Sequence, residues 1–80
     1  MAKVVFSSEL QKLTGEPHTV VTARVFKDIV TELTEKYSRL DEDSLLAMAV
    51  AIDGEIIHQP YLEKVDEGSE LHLLYRISGG

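Results

Sequence analysis

The sequence predicts an α+β fold, a mixed sheet of four to five strands packed on one main helix, from three local patterns. Residues 69–78 alternate, with Leu71, Leu73, Tyr75 and Ile77 on one face and Glu70, His72, Leu74 and Arg76 on the other, the period of a half-buried strand. Over 24–37 the period changes, and Phe26, Ile29, Val30, Leu33 and Tyr37 recur at three and four residues, as in an amphipathic helix. Asp53-Gly54 lies between Leu45–Ile52 and Glu55–Ile57, and this dipeptide supplies the left-handed backbone that a two-residue hairpin needs. One helix and one apolar sheet face can then cover each other.

Taken in order, Lys3–Phe6 is a short strand with Val4 and Phe6 facing one way, and Thr19–Ala23 is a β-branched second strand. Thr14-Gly15-Glu16-Pro17 turns the chain between them, so an antiparallel hairpin with a long connection is expected, with a helical turn at Glu9–Leu13. Thr22 is the expected N-cap of the main helix, and Glu32 and Lys36 stand four apart in the favourable order for an ion pair. Ser38–Ser44 reads as a polar loop carrying Asp41-Glu42-Asp43. Leu45–Ile52 reads as a strand, with Leu46, Met48, Val50 and Ile52 opposite Leu45, Ala47, Ala49 and Ala51. Residues 58–68 form an irregular connection in which Tyr61, Leu62 and Val65 are expected to tuck against the core, and Asp66-Glu67-Gly68 turns into the last strand.

Eighty residues suit one small domain, read as 1–80 with a flexible Gly-Gly tail, and 44% hydrophobic content with clear periodicity marks it as globular. Cysteine is absent, which excludes disulfides, Cys-based metal sites and a thiol nucleophile. The first residues are too short an apolar run for a signal peptide, and no stretch approaches the roughly 20 apolar residues of a membrane span, so a soluble, cytoplasmic protein is expected.

The net charge of −6 is unevenly spread. Residues 41–70 hold nine acids against Lys64 alone, while 1–40 and 71–80 are each close to neutral. Such a surface repels nucleic acid and favours a basic protein partner. His18, His58 and His72 have no metal-ligand spacing, the glycines at 15, 54 and 68 are isolated turn residues, and no serine or threonine stands in a nucleophile motif. The expected site is at the end of the chain. Gly79-Gly80 follow directly on the strand that ends at Ser78, and two residues without Cβ atoms let a carboxylate reach into a narrow cleft. Leu74, beside Arg76 on the polar face, becomes a docking surface if Ala47, Ala49 or Ala51 border it.

The segments Leu33-Thr34-Glu35-Lys36-Tyr37-Ser38-Arg39-Leu40, Val50-Ala51-Ile52-Asp53-Gly54-Glu55 and Asp66-Glu67-Gly68-Ser69-Glu70-Leu71, with the closing Ser78-Gly79-Gly80, resemble the MoaD/ThiS family of sulfur carrier proteins over nearly the whole chain. Leu13-Thr14-Gly15 followed by Val20 is similar to carriers of cysteine and secondary-metabolite sulfur pathways. The resemblance implies a ubiquitin-like β-grasp fold. It also implies a function: an activating enzyme of the ubiquitin-activating type uses ATP to adenylate the Gly80 carboxylate, a persulfide donor displaces AMP, and the resulting thiocarboxylate gives sulfur to a synthase. In that scheme Gly79 and Gly80 must be small, Ser78 and Ile77 line the entry, Arg76 and Leu74 dock, and the chain binds no metal or cofactor itself. Small subunits of molybdopterin synthase often carry Pro-Pro shortly before the diglycine, whereas this chain has Tyr75-Arg76. Arg76 before Gly79-Gly80 is also similar to the tail of ubiquitin, which leaves attachment to lysines as an alternative.

Overall fold

The computed structural model describes residues 1–74. Strand β1 (Ala2–Val5) leads to helix α1 (Ser8–Thr14) and strand β2 (His18–Val21), then to helices α2 (Phe26–Lys36) and α3 (Glu42–Leu46). Strands β3 (Ala49–Ile52), β4 (Glu55–Ile57) and β5 (Glu70–Leu74) complete a mixed five-stranded sheet in the order β2-β1-β5-β3-β4. β5 runs parallel to β1 and antiparallel to β3, so the last strand in sequence occupies the centre of the sheet. Its alternation is borne out at Leu71 and Leu73, which are buried, while Tyr75 and Ile77 lie outside the described residues.

The core lies between the inner sheet face and α2. Val4, Val21, Val50, Leu71 and Leu73 meet Phe26, Ile29, Val30 and Leu33, the set that the helical period selects. Leu10 of α1 and Leu45 of α3 add to it, and Phe6 packs edge-on against Tyr37 with ring centroids 5.6 Å apart. Helix α1 is fuller than the single turn expected, because Ser7 caps its start through the Leu10 N–H and Gly15 ends it in the left-handed region at φ 75°.

Several expectations are corrected. Thr22 does not cap α2. The cap position is Val25, which has no capping side chain, and the free N–H groups of Phe26 and Lys27 donate instead to the carbonyls of Glu63 and Tyr61. Glu32 and Lys36 do not pair on the helix surface. Glu32 reaches to the segment just after β2 and accepts from the N–H groups of Thr22 and Ala23 at 3.0 Å and from the Thr22 hydroxyl, while Lys36 donates to the Thr19 hydroxyl in β2. Burial pushes the Glu32 carboxyl up, but the donors from Ala23 and Thr22 and the charge of Lys36 outweigh it and hold it below the usual range. These two side chains, with the Tyr37 hydroxyl donating to Glu16, fasten the outer edge of β2 to the helix.

The stretch 41–48 is not loop and strand but α3 and a turn, and the strand begins only at Ala49. Asp41 accepts from the Ser44 N–H at 3.0 Å, a side-chain cap that turns the acids of the expected loop into a first helical turn. Val65 is buried as expected, but Tyr61 and Leu62 are not. Buried Pro60 and the two carbonyls given to α2 fix the loop backbone against the helix, and the side chains between them remain in solvent.

Because Phe26 is fully buried and Leu62 is 68% exposed, Phe26→Ala should cost about 3–5 kcal/mol in chemical denaturation. Leu62→Ala should stay within about 0.5 kcal/mol of the parent.

Candidate functional site

The position of the end of β5 is set at its beginning. Asp53 sits at φ 50°, in the left-handed region, with Gly54 at φ 87° completing the turn between β3 and β4. That conformation lets the Asp53 carboxylate accept from the Ser69 hydroxyl at 2.7 Å and the Glu70 N–H at 3.0 Å, while its own N–H donates to the Glu70 carbonyl. The N–H of Glu70 foremost, then the Ser69 hydroxyl, hold the Asp53 carboxyl below the usual carboxylate range. Two sequence features read separately, a hairpin turn and the start of a strand, are thus one clamp. It fixes β5 in register before the strand runs to Leu74.

Along β5 the outer sheet face carries Glu70, His72 and Leu74. One row crosses all five strands: His18 opposite Val5, Val5 opposite His72, His72 opposite Ala51, and Ala51 opposite Ile56. Leu74 lies opposite Ala49, so the bordering alanines anticipated for a docking patch are Ala49 and Ala51, whereas Ala47 falls in the turn after α3. Half-buried Leu74 and Val5, with Ile56 at 58% and Val20 at 50% exposure, give this face an apolar part beside Lys3, His18, Glu70 and His72. The small alanines Ala49 and Ala51 of β3 lie next to the central strand. His72 is held on this face by Glu70, whose carboxylate lies 2.8 Å from Nε2.

Of the anticipated site residues only Leu74 is among those described, whereas Arg76, Ile77, Ser78, Gly79 and Gly80 lie outside them. The sequence reading missed Val5, Val20 and Ile56 as members of the face. Their signal was present in the alternation of β1, which sends Val5 to the side opposite Val4, but the cross-strand register that aligns them was not. Among the described residues no group of three or more His, Cys, Asp or Glu could hold a metal ion, and no helix is long and apolar enough to cross a membrane.

No protein-family model and no curated protein matches the sequence. Solved structures do. Small archaeal modifier protein 1 (SAMP1) from Methanosarcina acetivorans is 23% identical over 99% of this chain and 95% of that one, with a TM-score of 0.77. A chain of the BexX/CysO complex from Amycolatopsis orientalis is 19% identical over the full length of both, with a TM-score of 0.79. A third, from Pyrococcus furiosus and described as subunit 1 of a molybdopterin converting factor, is 17% identical over 95% of this chain and 97% of that one, at 0.70. The fold is the β-grasp. At these identities the arrangement of elements is what is shared, and the β-grasp sheet accounts for the central β5 and for the helix lying on one face alone.

The Asp53 clamp predicts a specific pH dependence. A carboxyl whose folded pKa is depressed contributes stability above its unfolded pKa and loses it as the pH falls through the folded value. Asp53→Ala should therefore melt below the parent at neutral pH, and the gap should narrow as acid protonates Asp53 in the parent, as followed by thermal melts from pH 7 down to pH values below the ordinary aspartate range.

Proposed function

We propose that this chain is a sulfur carrier whose reactive group is the Gly80 carboxylate. An activating enzyme of the ubiquitin-activating type would transfer AMP from ATP to that carboxylate, releasing pyrophosphate. A persulfide then attacks the acyl carbon and expels AMP, and a second thiol cleaves the acyl disulfide to leave a thiocarboxylate on Gly80. A sulfur-accepting synthase in cofactor or metabolite biosynthesis would use that thiocarboxylate as its nucleophile. The chain supplies no acid or base. Its part is to position a reactive atom inside another protein's site at high effective concentration.

The observation that carries this reading is the central, clamped β5 followed in sequence by Ser78-Gly79-Gly80. The apolar part of the outer face beside Leu74 supports it as the surface on which the activating enzyme and the synthase would alternate, with Arg76 and Ile77 contributing to docking and entry. Likeness to a chain of the BexX/CysO complex, and to a subunit of a molybdopterin converting factor, fits a carrier that works with a larger partner. Two neighbouring readings have their own support. Likeness to SAMP1, described as a modifier protein, favours conjugation of Gly80 to lysines. The molybdopterin converting factor likeness favours the small subunit of a synthase, against which the Tyr75-Arg76 pair counts.

The test is intact mass spectrometry of the chain incubated with a candidate activating enzyme, ATP and a persulfide source. Exchange of one oxygen for sulfur, localised to Gly80, is the expected result, and absence of exchange with every activating enzyme of the source organism would contradict it. Gly79→Trp should leave the melting temperature unchanged and abolish the exchange. Gly80-dependent lysine adducts in cells, without sulfur exchange, would select the modifier reading.

A further inference from the structure

The sheet register defines two poles. β5 runs from Glu70 beside Lys3 to His72 beside Val5, so Leu74 lies at the pole where β1 ends. β2 runs the other way, with Val21 beside Ala2, and delivers the chain to the start of α2 at the opposite pole. That second pole also carries the turn at Asp53, bonded to Ser69 and Glu70, and Gly68, whose N–H donates to the Met1 carbonyl.

At this pole Tyr61 and Leu62, adjacent in sequence, are 53% and 68% exposed. A single exposed leucine is ordinary on a protein surface. These two differ because their backbone is fixed. The Tyr61 carbonyl accepts from the Lys27 N–H at 3.0 Å, the Glu63 carbonyl from the Phe26 N–H at 2.9 Å, and the Glu63 N–H donates to Pro60 at 2.7 Å. Val65 N–H donates to the Arg24 carbonyl at 2.7 Å, and the Val65 side chain is buried beneath the loop. Two large apolar groups held in water on an ordered backbone lose little conformational freedom on binding, which is the property of an interface anchor. Around them acids outnumber bases: Asp28, Asp53, Glu55, Glu63, Asp66, Glu67 and Glu70 stand against Arg24, Lys27, Lys64, Lys3 and the Met1 ammonium, and Arg24 and Met1 are already paired with Glu67 at 3.0 and 3.4 Å, in a chain of net charge −6.

We propose that the Tyr61–Leu62 loop is a second docking surface, which inserts into an apolar pocket bordered by Lys or Arg on a partner protein. Charge complementarity selects that partner over a second copy of this acidic chain. Because the loop and the end of β5 are at opposite poles, the partner can hold the body while the chain beyond Leu74 is engaged elsewhere. This inference does not depend on what chemistry Gly80 undergoes.

The test is photocrosslinking in extracts of the source organism with p-benzoylphenylalanine at position 62, compared with the same probe at position 12, an exposed site on α1 at the other pole. The expected result is one heterologous adduct at 62 that is absent at 12 and unchanged when Gly79 and Gly80 are deleted. Its yield should fall about fivefold in a Glu63→Lys, Asp66→Lys variant, and fall again between low and high salt. The charge dependence and tail independence, rather than capture itself, support the proposal. A homodimeric adduct, an adduct indifferent to charge and salt, one lost with the diglycine, or none above the level at position 12 would each overturn it. Unchanged circular dichroism melts of the variants exclude unfolding as the cause of a loss.

Discussion

The clamp at Asp53 and the central place of β5 are the constraints on which the rest of the structure depends. A central strand has its hydrogen-bonding groups taken by neighbours on both sides, here β1 and β3, and its Leu71 and Leu73 fill the middle of the core. A slip of one residue would send both leucines into solvent and bring Glu70 and His72 into the core, at a cost of several kcal/mol. Asp53 opposes that slip from outside the core by binding the first two residues of the run, Ser69 and Glu70. Everything that follows Leu74 in sequence is therefore attached to the best-held strand of the fold.

This arrangement divides the molecule into parts with different physical duties. The inner face and α2 supply stability through burial. The outer face mixes Val5, Val20, Ile56, Leu74 and the alanines Ala49 and Ala51 of β3 with Lys3, His18, Glu70 and His72. The two sheet edges are treated differently. At β2 Lys36 ties Thr19 to α2 and Glu32 occupies the N–H groups of Thr22 and Ala23 just beyond the strand, whereas β4 is shortened to three residues. Both devices discourage sheet addition at the two edges.

Much of this was legible in the residues. Phe26, Ile29, Val30 and Leu33 announce α2, Leu71 and Leu73 announce the inner face of β5, and Asp53-Gly54 announces the hairpin, because each signal is local and repeated. The losses came where a local signal had two physical readings or none. Leu45–Met48 continues the alternation of the strand that follows, but Asp41, followed by two acids, is also a helix start, and burial of Leu45 decided for the helix. Glu32 and Lys36 have the spacing of a helical pair, yet the segment just after β2 offered Glu32 two N–H groups and the Thr22 hydroxyl, while the Thr19 hydroxyl drew Lys36 to β2. Tyr61 and Leu62 are apolar, and composition assigns such residues to the core. Only the carbonyls drawn to the uncapped start of α2 explain why they stand outside. The outer face was legible at Leu74, Ala49 and Ala51 but not at Val5, Val20 and Ile56, whose membership depends on register between strands distant in sequence.

Native-state hydrogen exchange bears most directly on the central claim, that the fold is rigid up to the end of its central strand. The amides of Leu71 to Leu74 should exchange only through global unfolding, with a free energy equal to that from denaturant melts, and those of β4 should exchange sooner. Exchange of the β5 amides through a low-energy local opening, ahead of β4, would show that the last strand is loosely held and would contradict the account.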